Sequence, residues 1–152
     1  MTEEKYVSYE TAKLLNENGF KIDTDKDHWK VGKDGTMYFM SSIGAYTSDI
    51  NNKQAYYRPA DTYPCPTQAM AMRWLREEYR IAVTPIPYRY PSKWDCMIVY
   101  LGEPMEKDDK YDICLLKMIR SSYEEVAEAG IRHVLKNIVA EIRKKLRNEK
   151  ED

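Results

Sequence analysis

The sequence predicts an α+β fold: an antiparallel sheet of about five strands, helices packed on one face, and a long C-terminal helix. Three observations predict it. Short runs rich in β-branched and aromatic residues alternate with Gly and Pro turns. Ser-Tyr-Glu triplets suited to starting helices stand at residues 8–10 and 122–124. The last thirty or so residues carry an apolar stripe at helical spacing. With 43% hydrophobic and 32% charged residues over a length of 152, the chain holds enough apolar matter for one core, so residues 1–152 read as a single domain.

The first helix is expected over residues 9–18, with Ser8 as N-cap, Glu10 near the positive end of the dipole, Ala12, Leu14 and Leu15 at helical spacing, and Gly19 past the end. Trp29-Lys30-Val31 and Thr36-Met37-Tyr38-Phe39-Met40 flank Gly32-Lys33-Asp34-Gly35 and predict a hairpin. Residues 43–66 are punctuated by Asn51, Asn52, Pro59, Pro64 and Pro66, and Gln54-Ala55-Tyr56-Tyr57-Arg58 suggests a short strand inside. Without that strand, a loop of this length is either functional or mobile.

Residues 67–79 are again helical, with Ala71, Trp74 and Leu75 facing inward and Arg73, Arg76, Glu77 and Arg80 on the other side. In residues 81–90, Pro85 and Pro87 stand two apart, so both missing donors fall on one side and an edge strand is expected. Pro91-Ser92-Lys93 turns the chain, and the alternation over residues 94–101 predicts the central strand. After an acidic linker, residues 113–119 read as a buried strand, with a helix as the alternative. Ser122 and Glu125 form a capping box. The helix they open places Ala127, Ile131, Val134, Leu135, Ile138, Ile142 and Leu146 on one stripe, and Arg143, Lys144, Lys145 and Arg147 at its negative end.

The charge balance, 24 basic against 25 acidic residues, gives a net of -1 and supplies no global attraction to nucleic acid or membranes. The acidic start, with no apolar region after it, predicts neither a signal peptide nor a membrane span, and the reading is a cytoplasmic protein. Cys65, Cys96 and Cys114 are odd in number and form no CxxC pair, which suits reduced thiols.

Residues 67–93 hold five basic and two acidic residues, a local charge of +3. Arg73, Arg76, Arg80 and Arg89, with Tyr88 and Tyr90 beside them, are the candidate site for a protein or nucleic-acid partner: arginines for phosphates, tyrosine rings for contact area or base stacking. A solvated helix face with Glu77 paired to its arginines is the plainer account of the same residues. Thirteen tyrosines are present in all, and half-buried strand positions account for most of them.

Cys65 precedes a helix N-terminus, which favours a thiolate, but a nucleophile needs a base and only His28 and His133 exist. No metal-ligand spacing, Gly-rich phosphate loop or nucleophile elbow is present, so no catalytic residue, metal or cofactor is assigned.

Tyr63-Pro64-Cys65-Pro66-Thr67-Gln68-Ala69-Met70 running into Arg73-Trp74-Leu75-Arg76-Glu77, together with Tyr9-Glu10-Thr11-Ala12-Lys13-Leu14-Leu15 and Ser122-Tyr123-Glu124-Glu125, resembles a family of small uncharacterised proteins of anaerobic gut bacteria, often encoded in prophage or mobile-element neighbourhoods. The resemblance covers about a third of the chain and implies a context, with no residue roles. The expectation is a non-catalytic accessory protein that binds a protein or nucleic-acid partner. A small enzyme with its site in residues 43–66, and an assembly protein forming a homodimer through the last helix, are the alternatives.

Overall fold

The computed structural model describes residues 4–22, 26–41, 44–47, 61–88, 92–101 and 113–151. They fall into two compact units, one of residues 6–67 and one of residues 1–5 with 68–152.

In the first unit, helix α1 (Tyr9–Glu17) begins where Ser8 Oγ accepts the Thr11 N–H at 3.3 Å and ends at Gly19, whose φ of 92° only glycine adopts without strain. Strands β1 (His28–Gly32) and β2 (Met37–Ser41) form the expected hairpin. Its turn is held by Asp34, whose Oδ1 accepts the Thr36 N–H at 3.0 Å, a bond that also lowers the carboxyl pKa. Strands β3 (Gly44–Thr47) and β4 (Thr62–Pro64) complete an antiparallel sheet in the order β3-β2-β1-β4. Helix α1 packs on β4 and β1, burying Ala12, Leu15 and Val31. The rings of Tyr6, Trp29 and Phe39 follow one another at 6.1 and 5.2 Å, in the tilted geometry aromatic pairs prefer.

In the second unit, helix α2 (Gln68–Tyr79) leads through Arg80 into strands β5 (Ile81–Pro87), β6 (Trp94–Tyr100) and β7 (Ile113–Leu115), an antiparallel sheet with β6 in the centre. Helix α3 (Tyr123–His133) continues as a π-helical segment, Val134–Val139, and then as helix α4 (Ala140–Glu151). Ser122 Oγ accepts the Glu125 N–H at 3.1 Å as the capping box predicts, while the Glu125 carboxylate reaches back to the N–H and hydroxyl of Ser121. Helices α2 and α3 touch each other and cover β5, and α3 extends over β6. Gln68 ties the two helices together, its amide donating to the Glu124 carbonyl at 3.0 Å and to Glu128 Oε2 at 3.1 Å.

Three expectations are corrected, the sheet count, the buried strand over residues 113–119 and the reach of the last helix's apolar stripe, while the edge strand is not. The strands form two sheets, of four and three strands, in place of one sheet of five. The hydrogen bonds Leu101 N–H to Arg80 O at 2.7 Å and Tyr88 N–H to Lys93 O at 2.9 Å turn the even positions of β5 toward β6, so Pro85 and Pro87 lack their N–H on the outer side and blunt that edge. The edge-strand expectation for β5 therefore holds, and the same prolines help end the sheet there.

The buried strand over residues 113–119 is in fact three residues long, and all three are exposed, because the helical layer lies over β5 and β6. Beyond it Lys117, at φ 55°, breaks the ladder before Arg120 and Trp94 exchange two bonds of 2.9 Å.

The apolar stripe of the last helix is buried through Val126, Ala127, Gly130, Ile131, Val134, Leu135 and Val139, whereas Leu146 is 52% exposed. Positions 127, 131, 135 and 139 step by four, which in an α-helix rotates the stripe by about 40° each time. The wider i→i+5 turns of the π segment reduce that rotation, and Val134, Leu135 and Val139 within it are buried. The suggested strand over residues 54–58 lies outside the described residues.

Candidate functional site

Arg73 and Arg76 stand with Glu77 on the exposed face of α2, opposite the buried Ala71, Met72 and Leu75. Arg73 Nε donates to Glu77 Oε1 at 2.9 Å, and this bond raises the guanidinium pKa. Arg80 is exposed and left-handed at φ 57°, where its N–H caps the Arg76 carbonyl at 3.1 Å. The three arginines thus share one stretch of surface, partly neutralised by Glu77. Trp74 is half-buried rather than fully inward and stacks edge-on with Tyr79 at 5.3 Å. Tyr88 is exposed, but it lies at the other end of β5, about 26 Å along the strand from Arg80 at 3.3 Å per residue. Arg89 and Tyr90 lie outside the described residues.

Among the cysteines, Cys65 is buried and its Sγ donates to the Val7 carbonyl at 3.2 Å. Burial pushes the Cys96 thiol up to about 11, with the Asp95 carboxylate adding to the effect, so it stays protonated at neutral pH. Cys114 is exposed on β7. His28 is buried with Nδ1 2.8 Å from the Lys26 carbonyl, which places its proton on Nδ1. Its Nε2 is buried with no hydrogen-bond partner among the described residues. No group of three or more His, Cys, Asp or Glu among the described residues could hold a metal ion. No helix among them is long and apolar enough to cross a membrane.

An apolar sheet face is a feature that the sequence reading does not predict. The registers Ala82↔Val99, Thr84↔Met97, Met97↔Leu115 and Val99↔Ile113 put these residues on one face of the three-stranded sheet, while Val83, Cys96 and Ile98 face the helices. On the first face Ile113 is 63%, Leu101 48% and Leu115 46% exposed, next to the half-buried Ile86, Met97 and Val99. The Leu116 N–H bond to Cys96 O at 2.9 Å turns the even positions of this segment toward β6, so the N–H and C=O of Ile113 and Leu115 point away from the sheet. Among the described residues an apolar face thus runs up to an open strand edge. The signal available in the sequence was the Ile-Cys-Leu-Leu run itself, which reads equally well as core. No protein-family model, curated protein or solved structure matches the chain.

Proposed function

We propose that the protein is a non-catalytic accessory protein that acts by binding a protein partner at the open face and edge of its three-stranded sheet. The observation that carries this reading is the exposure of Ile113 and Leu115 on a strand edge with outward amides, with the exposed Leu101 on the same face of the sheet just past β6. Contiguous apolar surface ending in an unpaired edge is the arrangement that strand-adding partners use. A thiol enzyme is supported less, since Cys65 and Cys96 are both buried. The resemblance to mobile-element proteins supplies a context in which an accessory role fits.

The test separates binding residues from core residues. Leu101→Ser and Leu115→Ser, made singly, should each change unfolding free energy by no more than about 0.5 kcal/mol while reducing the fluorescence of an apolar-surface dye. A loss of about 2–5 kcal/mol from either would assign that residue to the core and sink the reading.

A second reading rests on Arg73, Arg76 and Arg80, which share one exposed stretch and could follow a phosphate backbone. Titration with single- and double-stranded nucleic acid at low and moderate salt tests it. Binding that weakens steeply with salt and is reduced by Arg73→Ala and Arg76→Ala supports the arginine site. An absence of binding at low salt removes it.

A further inference from the structure

We propose that the partner at the open edge is a second copy of this chain, added at β7 in antiparallel fashion about a two-fold axis through Cys114. The proposal rests on the partner-binding reading of that surface and names its occupant.

The two outer edges of the three-stranded sheet are unequal. On β5 the outward positions are Ile81, Val83, Pro85 and Pro87, two of which have no N–H to give. On β7 the outward positions are Ile113 and Leu115, both with complete amides. Natural sheets blunt edges that must stay single, and here only the β5 edge carries proline.

The β7 edge is complementary to itself. Two outward residues flank one inward residue, so an antiparallel copy pairs Ile113 with Leu115 of the second copy, and Leu115 with its Ile113. That arrangement closes four backbone hydrogen bonds and gives a continuous six-stranded sheet. Ile113 and Leu115 of both copies then lie on one face with Met97 and Val99, which buries apolar area at the seam.

The charges in the sequence favour the same orientation. The stretch leading into β7 carries Glu103, Glu106, Asp108, Asp109 and Asp112 against Lys107 and Lys110, a net of -3 from five acids and two bases. The stretch leading out carries Lys117 and Arg120, a net of +2. By sequence adjacency alone, an acidic residue, Asp112, precedes β7 and a basic one, Lys117, follows soon after it, a polarity that is complementary in an antiparallel pair and sets like against like in a parallel one. The last helix is less suited to self-pairing, because Arg143, Arg147 and Lys150 border one side of its Ile142-Leu146 stripe and would meet their own copies in an antiparallel pair.

In this arrangement the two Cys114 residues form a non-hydrogen-bonded cross-strand pair, with Cα atoms about 4.5 Å apart, inside the range a disulfide spans. This gives the experiment its specific readout. The full chain is followed by sedimentation over a range of concentrations and then treated with diamide, which takes two hydrogens from a pair of thiols and leaves a disulfide. The weight-average mass should rise toward twice 18.0 kDa with concentration, and diamide should yield a reducible dimer that Cys114→Ser abolishes. Leu115→Pro removes an outward N–H together with an exposed side chain, breaks no hydrogen bond within the sheet, and should return the mass to that of the monomer with an unchanged circular dichroism spectrum. Ile113→Lys, which keeps the backbone, should do the same if the proline variant fails to fold. A wild-type monomer at every concentration overturns the proposal, as does a dimer indifferent to the Ile113 and Leu115 changes or one that diamide does not link through Cys114. If the chain is monomeric while the serine variants at Leu101 and Leu115 stay stable, the partner-binding reading survives and only the second copy falls. If those variants unfold, both fall.

Discussion

A methyl group built on Gly130 would lie 2.5 Å from Cys96 Sγ and 2.8 Å from Val83 Cγ1, so α3 approaches the sheet closer than any larger residue allows. Gly130→Ala gains about 1 kcal/mol of helix propensity. It also forces a methyl into a filled core, which costs about 1–3 kcal/mol. The net effect expected in urea denaturation is destabilisation, and Cys96→Ala in the same chain should recover part of it, a non-additive result that identifies the contact. A stabilised Gly130→Ala variant would mean the helix can shift outward at little cost. Cys96 itself gives a pH signature. Its folded pKa of about 11 stands above the 9.0 of a free thiol, so the native state resists ionisation. Its contribution to stability is complete below pH 9 and is lost between pH 9 and 11, where the unfolded thiol ionises first. Urea midpoints of wild type and Cys96→Ala should therefore converge over that window. A glycine inside a helical pattern is visible in the sequence and hints at close packing, but the Cys96 thiol that meets it comes from a strand more than thirty residues earlier and no local pattern names it.

Element ends were legible wherever a single residue type has one use. Ser8 and Ser122 cap helices, Gly19 ends one, and Pro85 and Pro87 mark an edge, because each acts through its own backbone or side chain on near neighbours. The expectation of a buried strand over residues 113–119 fails because what holds them is not local. Asp95 is buried, and its Oδ1 accepts both the Cys96 N–H at 2.7 Å and the Met118 N–H at 3.1 Å, standing in for the backbone acceptor that the kink at Lys117 removes. In the sequence it looks like the polar member of an alternating strand. Asp95→Ala leaves two amides without their acceptor and should cost about 1–3 kcal/mol for each that stays buried. Asp95→Asn keeps a carbonyl oxygen in place and should cost less. Hydrogen exchange at the Met118 amide checks the bond directly: it should be slow in wild type and fast in the alanine variant, and equal rates would show that the carboxylate does not hold this segment.

At the scale of the whole chain, local turns made the β1–β2 hairpin readable, and alternation made β6 readable. Which strands share a sheet was not, since Lys30 pairs with Pro64 across more than thirty residues of intervening chain. The expectation of one domain is open to a direct experiment. Residues 6–67 form one compact unit, and the two points where the chain enters and leaves it are adjacent: Tyr6 bridges Thr67, and the Val7 N–H bonds Pro66 O at 3.1 Å. On the other side of the same junction the Gln68 N–H bonds Lys5 O at 2.8 Å. An insert whose ends meet can be removed without stretching what remains, so joining Lys5 to Gln68 through two glycines should leave α2, the three-stranded sheet and the last helix able to form. The expected result is a shortened chain with helical circular dichroism and a cooperative thermal transition, since the buried set Leu75, Ile81, Ile98, Ile131 and Leu135 belongs entirely to residues that stay. Closing a two-residue link in place of a 62-residue segment also lowers the entropy of the unfolded chain, which works in favour of folding. Loss of the cooperative transition in that variant would establish that the two units fold only together, as the single domain that the sequence predicts.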